Sequence, residues 1–465
     1  MIRTGRLAYV LWILIGSLIP STHSVQARIS NEEPEPKTPI KHFIVLMQED
    51  HTFDNYFGTY PGADGIPIGT CMPAIPSNTE QTACVESFHI GNYPVEDLDQ
   101  SRRTFNLQYN EGQMDGFIYA LNQRNQDGNL AMGYYDDRDL PYYWNLANEY
   151  VLFDRFFSSA SGDSTMNHMY WVAGAPGSKK GQVPPRGYGD LPTIFDRLTE
   201  HGISWKFYVE NYDPTITYRS FPSVDTSNRT SQAIRVPLLN FERFVDDPQL
   251  FSQIVDLNEY FQDLERGTLP AVAYIVSSEA TEHPPRSIRA GQRLLKKLVQ
   301  ALMQSDAWSS SIFMWTYDSW GGWYDHVPPP QVDEYGYGFR VPALLVSAYA
   351  RRGYIDSTEL DFASILRFIE DNWGLEPLAL RDAHANSIAT ALDFSQPPRQ
   401  PFFISFSREE AYTPFREPRR EVIYAAYGAA VVFAGLMFSI VNLIDWRDQD
   451  RRVARAKSHR KRKAV

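Results

Sequence analysis

The chain has 465 residues, of which 43% are hydrophobic, so it can hold one large domain or two medium ones with a sizeable core. Lysine and arginine total 44 against 56 aspartate and glutamate residues, and the net charge of −12 argues against a nucleic-acid-binding protein. The two cysteines, Cys71 and Cys84, lie close together in a glycine- and proline-rich loop without zinc-ligand spacing. If the domain is exported, we expect one disulfide to close this loop.

The N-terminal segment has the three parts of a secretory signal peptide, which we assign to residues 1–27. Arg3 and Arg6 supply the positive start, residues 7–19 are apolar, and small residues precede a cleavage point at Ala27. An uncleaved membrane anchor is the alternative. Residues 28–39 are polar and contain several prolines, so we interpret them as a tether to the main domain.

The main domain, residues 40–400, alternates apolar runs with amphipathic segments. The run at 42–47 predicts a buried strand that ends at Glu49 and Asp50. Further strands are predicted at 150–157, 204–208, 271–276, 312–317 and 341–346, and helices at 140–147, 193–201, 289–303 and 362–373. This alternation predicts an α/β fold with a mostly parallel sheet covered on both faces. The polar, irregular region 214–249 is interpreted as an inserted cap.

The C-terminal region predicts a membrane anchor. Residues 422–444 are apolar and uncharged, and about 20 such residues suffice to cross a bilayer. A buried core helix is the alternative, but interfacial aromatic residues flank the run. The basic tail, 445–465, predicts a cytoplasmic C-terminus that contacts anionic lipid. With a stalk at 401–421, the chain is predicted to cross the cell membrane once and to place its large domain outside.

Polar residues follow several predicted strands, and the carboxyl ends of parallel strands meet at one edge of a sheet. Glu49, Asp50 and Asp318 can therefore share a divalent cation through oxygen, although capping of the next helix is an alternative for the first two. A hydroxyl beside such a cation becomes a nucleophile, and Ser164 is the candidate. His283 can donate a proton or hold an anionic oxygen. The set favours phosphoryl or phosphodiester transfer.

The order and the residues of these motifs resemble those of the bacterial phosphoesterase family. This family includes phospholipases C and related acid phosphatases in the alkaline-phosphatase-like superfamily. The matching segments are 48–58 (QEDHTFDNYFG), 114–117 (MDGF), 162–167 (GDSTMN), 282–284 (EHP), 317–330 (YDSWGGWYDHVPPP) and 338–342 (GFRVP). The resemblance covers about residues 40–374, nearly the whole predicted exported domain. It implies an alkaline-phosphatase-like three-layer α/β/α sandwich.

The resemblance also implies residue roles. The implied metal ligands are Glu49, Asp50, Asp318 and Ser164. Ser164 would attack phosphorus, His283 would contact the phosphate, and His326 is a further catalytic candidate within the last motif. An all-oxygen ligand set favours Mg²⁺, Ca²⁺ or Mn²⁺, and zinc is compatible. The expected substrate is a phospholipid head-group diester or a phosphomonoester, no nucleic acid is expected, and the oligomeric state is left open.

The chain departs from the family pattern at three positions. The family usually has Asn where Asp50 stands, an acidic residue where Ser319 stands, and His where Gln100 stands. The first two changes have opposite sign, so we hypothesise that a carboxylate has moved across the site with the total charge kept. Gln100 cannot act as a general acid, which predicts a preference for good leaving groups or a substitute such as His89. The alternative function is a binding or surface-interaction protein with an impaired site; sulfate-ester or phosphoglycerol transfer is a weaker rival.

Overall fold

The structure, a computed structural model, describes residues 33–406 apart from 77–83, 92–94, 163, 180 and 221–231, together with residue 433. The predicted signal peptide and basic tail, the predicted transmembrane segment apart from residue 433, and the predicted stalk from residue 407 onward lie outside the described residues. Within the part of the chain that is described, no helix has both the length and the apolar character needed to cross a membrane.

The strands alternate with helices as predicted. The strands are β1 His42–Gln48, β2 Cys71–Pro73, β3 Cys84–Glu86, β4 Phe88–His89, β5 Gly133–Tyr134, β6 Val151–Phe153, β7 Trp205–Val209, β8 Ile254–Asp256, β9 Val272–Val276, β10 Ser311–Tyr317, β11 Ala343–Ser347 and β12 Tyr354–Asp356. The main sheet has the order β12-β6-β11-β10-β1-β9-β7-β8. Within it β11 runs antiparallel to its neighbours, while every other described pair is parallel, which confirms a mostly parallel sheet.

The helices match most of the predicted helical segments. They are α1 Phe53–Phe57, α2 Arg102–Tyr109, α3 Phe117–Asn122, α4 Pro141–Glu149, α5 Ser164–Ala173, α6 Ile194–Glu200, α7 Glu242–Asp246, α8 Pro248–Phe251, α9 Asn258–Arg266, α10 Ile288–Gln304, α11 Phe362–Trp373 and α12 Leu380–His384. The bounds of α11 are those predicted from the sequence. The predicted strand at 150–157 is shorter in the structure, where β6 ends at Phe153.

Helices cover both faces of the sheet. Phe43 of β1 packs on Phe368 of α11, with ring centroids 5.5 Å apart. Trp315 of β10 packs on Tyr143 of α4, with centroids 4.2 Å apart. Trp315 pairs in register with Leu46, and alternate residues of a strand face opposite sides, so these contacts lie on opposite faces. The predicted α/β/α sandwich is therefore observed.

The central strand β1 lies between β9 and β10, and its residues Phe43 to Leu46 are fully buried. A strand covered on both faces needs a continuous apolar sequence, which is the pattern that β1 has. The predicted disulfide is also present, because Cys71 and Cys84 are bonded across the β2–β3 pair.

The region 214–249 differs from its prediction as a polar, irregular cap. Its second half carries a 3₁₀ turn, Pro237–Asn240, followed by α7. Leu238, Leu239, Phe241 and Phe244 are fully buried in the main core. The region looked irregular because these apolar residues fall in short turns, where neither helical nor strand periodicity is sustained.

Candidate active site

The candidate site lies at the carboxyl edge of the sheet, where β1 and β10 end side by side. Gln48 and Tyr317 are paired in register as the last residues of these strands. Glu49 and Asp318 follow them directly, so the parallel pairing brings both carboxylates to one edge. The backbone N–H of Asp50 donates to Asp318 Oδ1 at 3.3 Å. The structure therefore brings together the three predicted acidic ligands.

Asp50 occupies a left-handed backbone conformation, with φ +72°. This conformation is uncommon for a residue with a side chain, and such strain concentrates at functional sites. Gly321 packs beneath it, and a Cβ at Gly321 would lie 2.3 Å from the Asp50 carbonyl oxygen. The glycine-containing 317–330 motif thus supports the turn that carries Asp50.

The carboxylates of Asp50 and Asp318 lie close together and are shielded from solvent. Asp50 and Asp318 are each 1% exposed. Burial raises the pKa of Asp50 to about 6 although the hydrogen bond from His283 lowers it, and the negative charge of Asp318 raises it further. Buried carboxylates this close need a cation or a proton to offset their charge.

His283 links the buried edge to the surface. Its Nδ1 contacts the Asp50 carboxylate, and its Nε2 lies 3.2 Å from Asp97 Oδ2. Burial alone would lower the pKa of His283, but the hydrogen bonds to Asp50 and Asp97 raise it to about 11. The imidazole is therefore held as a cation beside the predicted metal ligands, with 32% of its side chain exposed.

Two acidic residues hold the loop that carries His283. The Glu210 carboxylate accepts backbone N–H groups of residues 278, 279 and 280. Glu282 is fully buried and accepts the hydroxyls of three tyrosines, Tyr56, Tyr143 and Tyr317. Burial raises the pKa of Glu282 to about 7, although these hydrogen bonds lower it. Glu282 of the EHP motif thus anchors the loop, a role that the sequence did not reveal.

Ser164 begins helix α5 and lines an open cleft of about 660 Å³. Asn167 fixes the preceding turn, since its Oδ1 accepts the N–H of Ala160 at 2.8 Å. The polar residues that line the cleft with Ser164 are Asp97, Asp99, Gln100, Ser101, Arg102, Arg124 and Gln126. The predicted nucleophile therefore borders a space that can admit a polar ester.

His168 was missed by the sequence analysis. It lies one helical turn after Ser164 on α5, and its side chain is 1% exposed. Its Nε2 is 3.6 Å from Asp318 Oδ2. Residues four apart share a helix face, so the spacing from Ser164 was a signal that could have found it.

Two overlapping groups at this edge could hold a metal ion. One joins Glu49, Asp50 and His283, which would have to lose a proton to bind an ion, and the other joins Glu49, His168 and Asp318. In each group, one ligand atom per residue lies within 4.8 Å of the others. Each group thus contains a histidine nitrogen as well as carboxylates, whereas the sequence predicted oxygen ligands alone.

Glu49 has a further partner that no motif indicated. Arg235 Nη1 donates to Glu49 Oε1 at 3.2 Å, and the two side chains are 10% and 14% exposed. Arg235 comes from the 214–249 region, so this region reaches the active-site edge.

The three departures from the family pattern meet at one hydroxyl, which can donate to either of two neighbouring oxygens. Ser319 Oγ lies 2.9 Å from Asp50 Oδ1 and 2.8 Å from Gln100 Oε1. The acidic side chain at position 50 therefore lies beside the position where the family usually carries one.

Two other histidines lie in separate clusters. His326 Nδ1 bonds Asp54 Oδ2 at 2.7 Å, and its Nε2 lies 3.3 Å from Asp64 Oδ1. His89, the suggested substitute acid, bonds Asp139 at 2.5 Å. Among the described hydrogen bonds, neither histidine contacts Ser164, Gln100 or the edge carboxylates. The catalytic role of His326 stays a prediction.

Comparison with known proteins agrees with this geometry. The model of the Phosphoesterase family matches residues 40–376. The chain belongs to the phosphoesterase family.

Its relatives include named phospholipases C. A non-hemolytic phospholipase C of Pseudomonas aeruginosa is 25% identical, over 83% of this chain and 62% of the relative. Phospholipase C B of Mycobacterium tuberculosis is 25% identical, over 78% of this chain and 80% of the relative. Non-specific phospholipase C1 of Arabidopsis thaliana is 25% identical, over 83% of this chain and 77% of the relative. The chain thus spans about three-fifths of the length of the Pseudomonas relative.

Among solved structures, a protein of the alkaline phosphatase superfamily from Vibrio parahaemolyticus aligns over 73% of this chain and 67% of its own. The TM-score is 0.34 at 12% identity, which is too low to add to the argument.

Proposed function

We propose that this chain is a metal-dependent phosphoesterase in which Ser164 is the nucleophile. The observation that carries the proposal is the convergence of Glu49, Asp50 and Asp318 at one sheet edge, with Ser164 on the neighbouring cleft. A bound divalent cation would lower the pKa of the serine hydroxyl and offset the charge of the phosphate. Membership of the phosphoesterase family supports the same reaction class.

The residues of the chain have separate tasks in this mechanism. Ser164 Oγ would attack phosphorus, so that a Ser–O–P bond forms as the bond to the leaving alcohol breaks. Water would then break the Ser–O–P bond and release the phosphate product. His283 is held by Asp50 through Nδ1, and its Nε2–H, which contacts the exposed Asp97 carboxylate in this structure, would exchange that contact for a phosphate oxygen.

A phospholipid head-group diester is the proposed substrate, and a phosphomonoester is the alternative. The phospholipase C names of the relatives favour the diester. Eight of the ten residues that line the cleft beside Ser164 are polar or charged, which suits a head group better than an acyl chain. Phospholipid vesicles, phosphorylcholine esters and para-nitrophenyl phosphate would separate the two substrate classes.

The test compares wild type with Ser164→Ala, with and without a chelator. We expect Ser164→Ala to lower kcat by roughly 10³-fold or more, because the variant lacks the hydroxyl that attacks phosphorus in the proposed first step. Chelation should also abolish activity, and returning the metal should restore it. Ser161→Ala is the control, since Ser161 instead bonds the carbonyl of Tyr335. Undiminished turnover by Ser164→Ala would contradict the mechanism, and an inactive wild type that binds vesicles would favour the binding-protein alternative.

We also propose that the domain is exported and held at the membrane by residues 422–444. The signal-peptide pattern at 1–27, the apolar run and the basic tail support this topology. The Cys71–Cys84 disulfide supports an oxidising compartment. Full-length protein should sediment with membranes and be protease-accessible from outside, whereas a chain that ends at residue 421 should be released. Full-length protein found in the soluble fraction would contradict the anchor.

A further inference from the structure

His168 is a buried histidine whose ring nitrogens are both unpaired. Neither Nδ1 nor Nε2 has a hydrogen-bond partner among the described residues. His51, which is equally buried, differs because its nitrogens lie 2.7 Å from Asn55 Oδ1 and 3.3 Å from the Glu282 carbonyl oxygen. Buried polar groups are almost always satisfied, so an unpaired imidazole needs an explanation.

The position of His168 relative to Asp318 indicates what the missing partner is. The separation of 3.6 Å between Nε2 and Oδ2 is too long for a hydrogen bond. Two ligands that each lie about 2.1 Å from a tetrahedral ion are about 3.4 Å apart. Asp318 Oδ1 already accepts the N–H of Asp50, which leaves Oδ2 facing His168. The gap therefore has the size that one shared cation would fill.

An ion pair between protonated His168 and Asp318 is the competing explanation. A charged pair in a buried site closes to about 2.7–2.9 Å, because charge-assisted hydrogen bonds are short. Two other histidines each make one short contact with a carboxylate, at 2.7 Å for His326 with Asp54 and 2.5 Å for His89 with Asp139, besides a longer second contact. His168 has only the long contact among the described residues. The wider gap at His168 is better explained by a ligand site than by a direct pair.

We propose that His168 is a nitrogen ligand of the cation held by Glu49 and Asp318, and that it makes this centre prefer Zn²⁺ over Mg²⁺ and Ca²⁺. Imidazole suits zinc and similar transition metals, whereas magnesium and calcium select oxygen ligands. His168 and Ser164 lie one turn apart on α5, so an ion on His168 is close to the nucleophile. This inference rests on the metal dependence in the proposed function, and metal binding tests it separately from activity.

The experiment measures Zn²⁺ and Mg²⁺ affinities of metal-free full-length protein by competition titration. We expect His168→Gln to weaken Zn²⁺ binding roughly 10–100-fold, while the affinity for Mg²⁺ changes much less. His201→Gln is the matched control, because His201 is exposed, its Nδ1 lies 2.9 Å from the carbonyl oxygen of Arg197, and it belongs to none of the candidate ligand groups among the described residues. It should bind both ions as wild type does. Unchanged zinc affinity in folded His168→Gln, or equal losses for both ions, would overturn the proposal.

A second variant decides the question if His168→Gln does not fold. His168→Cys replaces the nitrogen with a thiolate, and in the Co²⁺-loaded protein a sulfur-to-cobalt charge-transfer band should appear. Its absence from a folded, Co²⁺-loaded His168→Cys protein would show that residue 168 does not touch the ion. The two proposals can fail separately. If the wild-type protein is inactive but its zinc selectivity depends on His168, only the proposed hydrolase activity is refuted. If the protein is active but its zinc selectivity does not depend on His168, only the proposed role of His168 is refuted.

Discussion

Two clusters of the molecule are built from the same residue types and differ in their balance of charge. The edge cluster consists of Glu49, Asp50, His168 and Asp318. The second cluster consists of Asp54, Asp325, His326 and Arg340. Each contains a buried group of histidine and carboxylate ligands with the geometry to hold an ion. The second cluster contains its own cation, the Arg340 side chain, which is fully buried.

Arg340 contacts both carboxylates of the second cluster. Its Nε lies 2.9 Å from Asp325 Oδ1, and its Nη2 lies 3.0 Å from Asp54 Oδ1. Its Nη1 donates to the carbonyl oxygens of Asp64 and Asp154, each at 2.7 Å. The cations that contact the edge cluster among the described residues are Arg235, with 10% of its side chain exposed, and His283, with 32% exposed. Neither ring nitrogen of His168 has a hydrogen-bond partner there. The second cluster therefore has an internal counter-ion, whereas the edge cluster has a buried imidazole without a hydrogen-bond partner among the described residues.

The largest expected effect comes from removing the internal cation. Arg340→Met should lower the free energy of unfolding by about 3–5 kcal/mol, because two buried carboxylates lose their partner. Denaturant unfolding would measure it. Arg352→Met is the control, since Arg352 pairs with Glu149 at the surface with 72% of its side chain exposed, and it should cost at most about 1 kcal/mol. Equal losses in the two variants would remove the distinction between the clusters.

The second prediction alters the charge of the edge cluster. Asp50→Asn should weaken divalent-metal binding roughly 10–100-fold, because it removes one carboxylate from the proposed ligand set. Ser319→Glu combined with it should recover much of this loss, since Ser319 Oγ and Asp50 Oδ1 are 2.9 Å apart. Titration of the metal-free proteins measures both effects. The hypothesis of a relocated carboxylate is wrong if wild type and both variants bind metal and turn over substrate equally well.

The third prediction is measured as a slope against pH, and it concerns a buried carboxyl that a proton neutralises. Burial, together with the nearby Asp382 carboxylate, raises the pKa of Glu370 from 4.5 to about 9. Because the folded pKa is the higher one, this contribution to stability is complete below pH 4.5 and is lost as the pH rises through about 9. In this window the wild-type protein should lose up to about 1.4 kcal/mol of unfolding free energy per pH unit through this group. Glu370→Gln cannot titrate there, so it should lack this loss. Unfolding curves across the window measure the slope, and a slope identical to wild type would show that Glu370 does not hold the proton.

Local pattern predicted much of the fold. The apolar run of β1 and the amphipathic segment of α10 are sustained periodicities, and both appear close to their predicted bounds. The neighbourhood of Glu49 and Asp318 was also predictable, because each directly follows a buried strand and parallel strands end at one edge. The cap region was predicted less well, since its buried residues lie in turns too short to show a period.

The sequence by itself determined the strand–helix alternation, the acidic edge and the family motifs, because these depend on neighbours along the chain. Only the tertiary structure decided which side chains meet. Arg235 pairs with Glu49, and the Ser319 hydroxyl lies between Gln100 and Asp50. His326 lies beside Arg340, in a separate cluster. Such contacts join segments far apart in the chain, and their geometry depends on how helices pack on the sheet. Periodicity is local and carries no record of that packing, so the unpaired state of His168 could be seen only in the folded molecule.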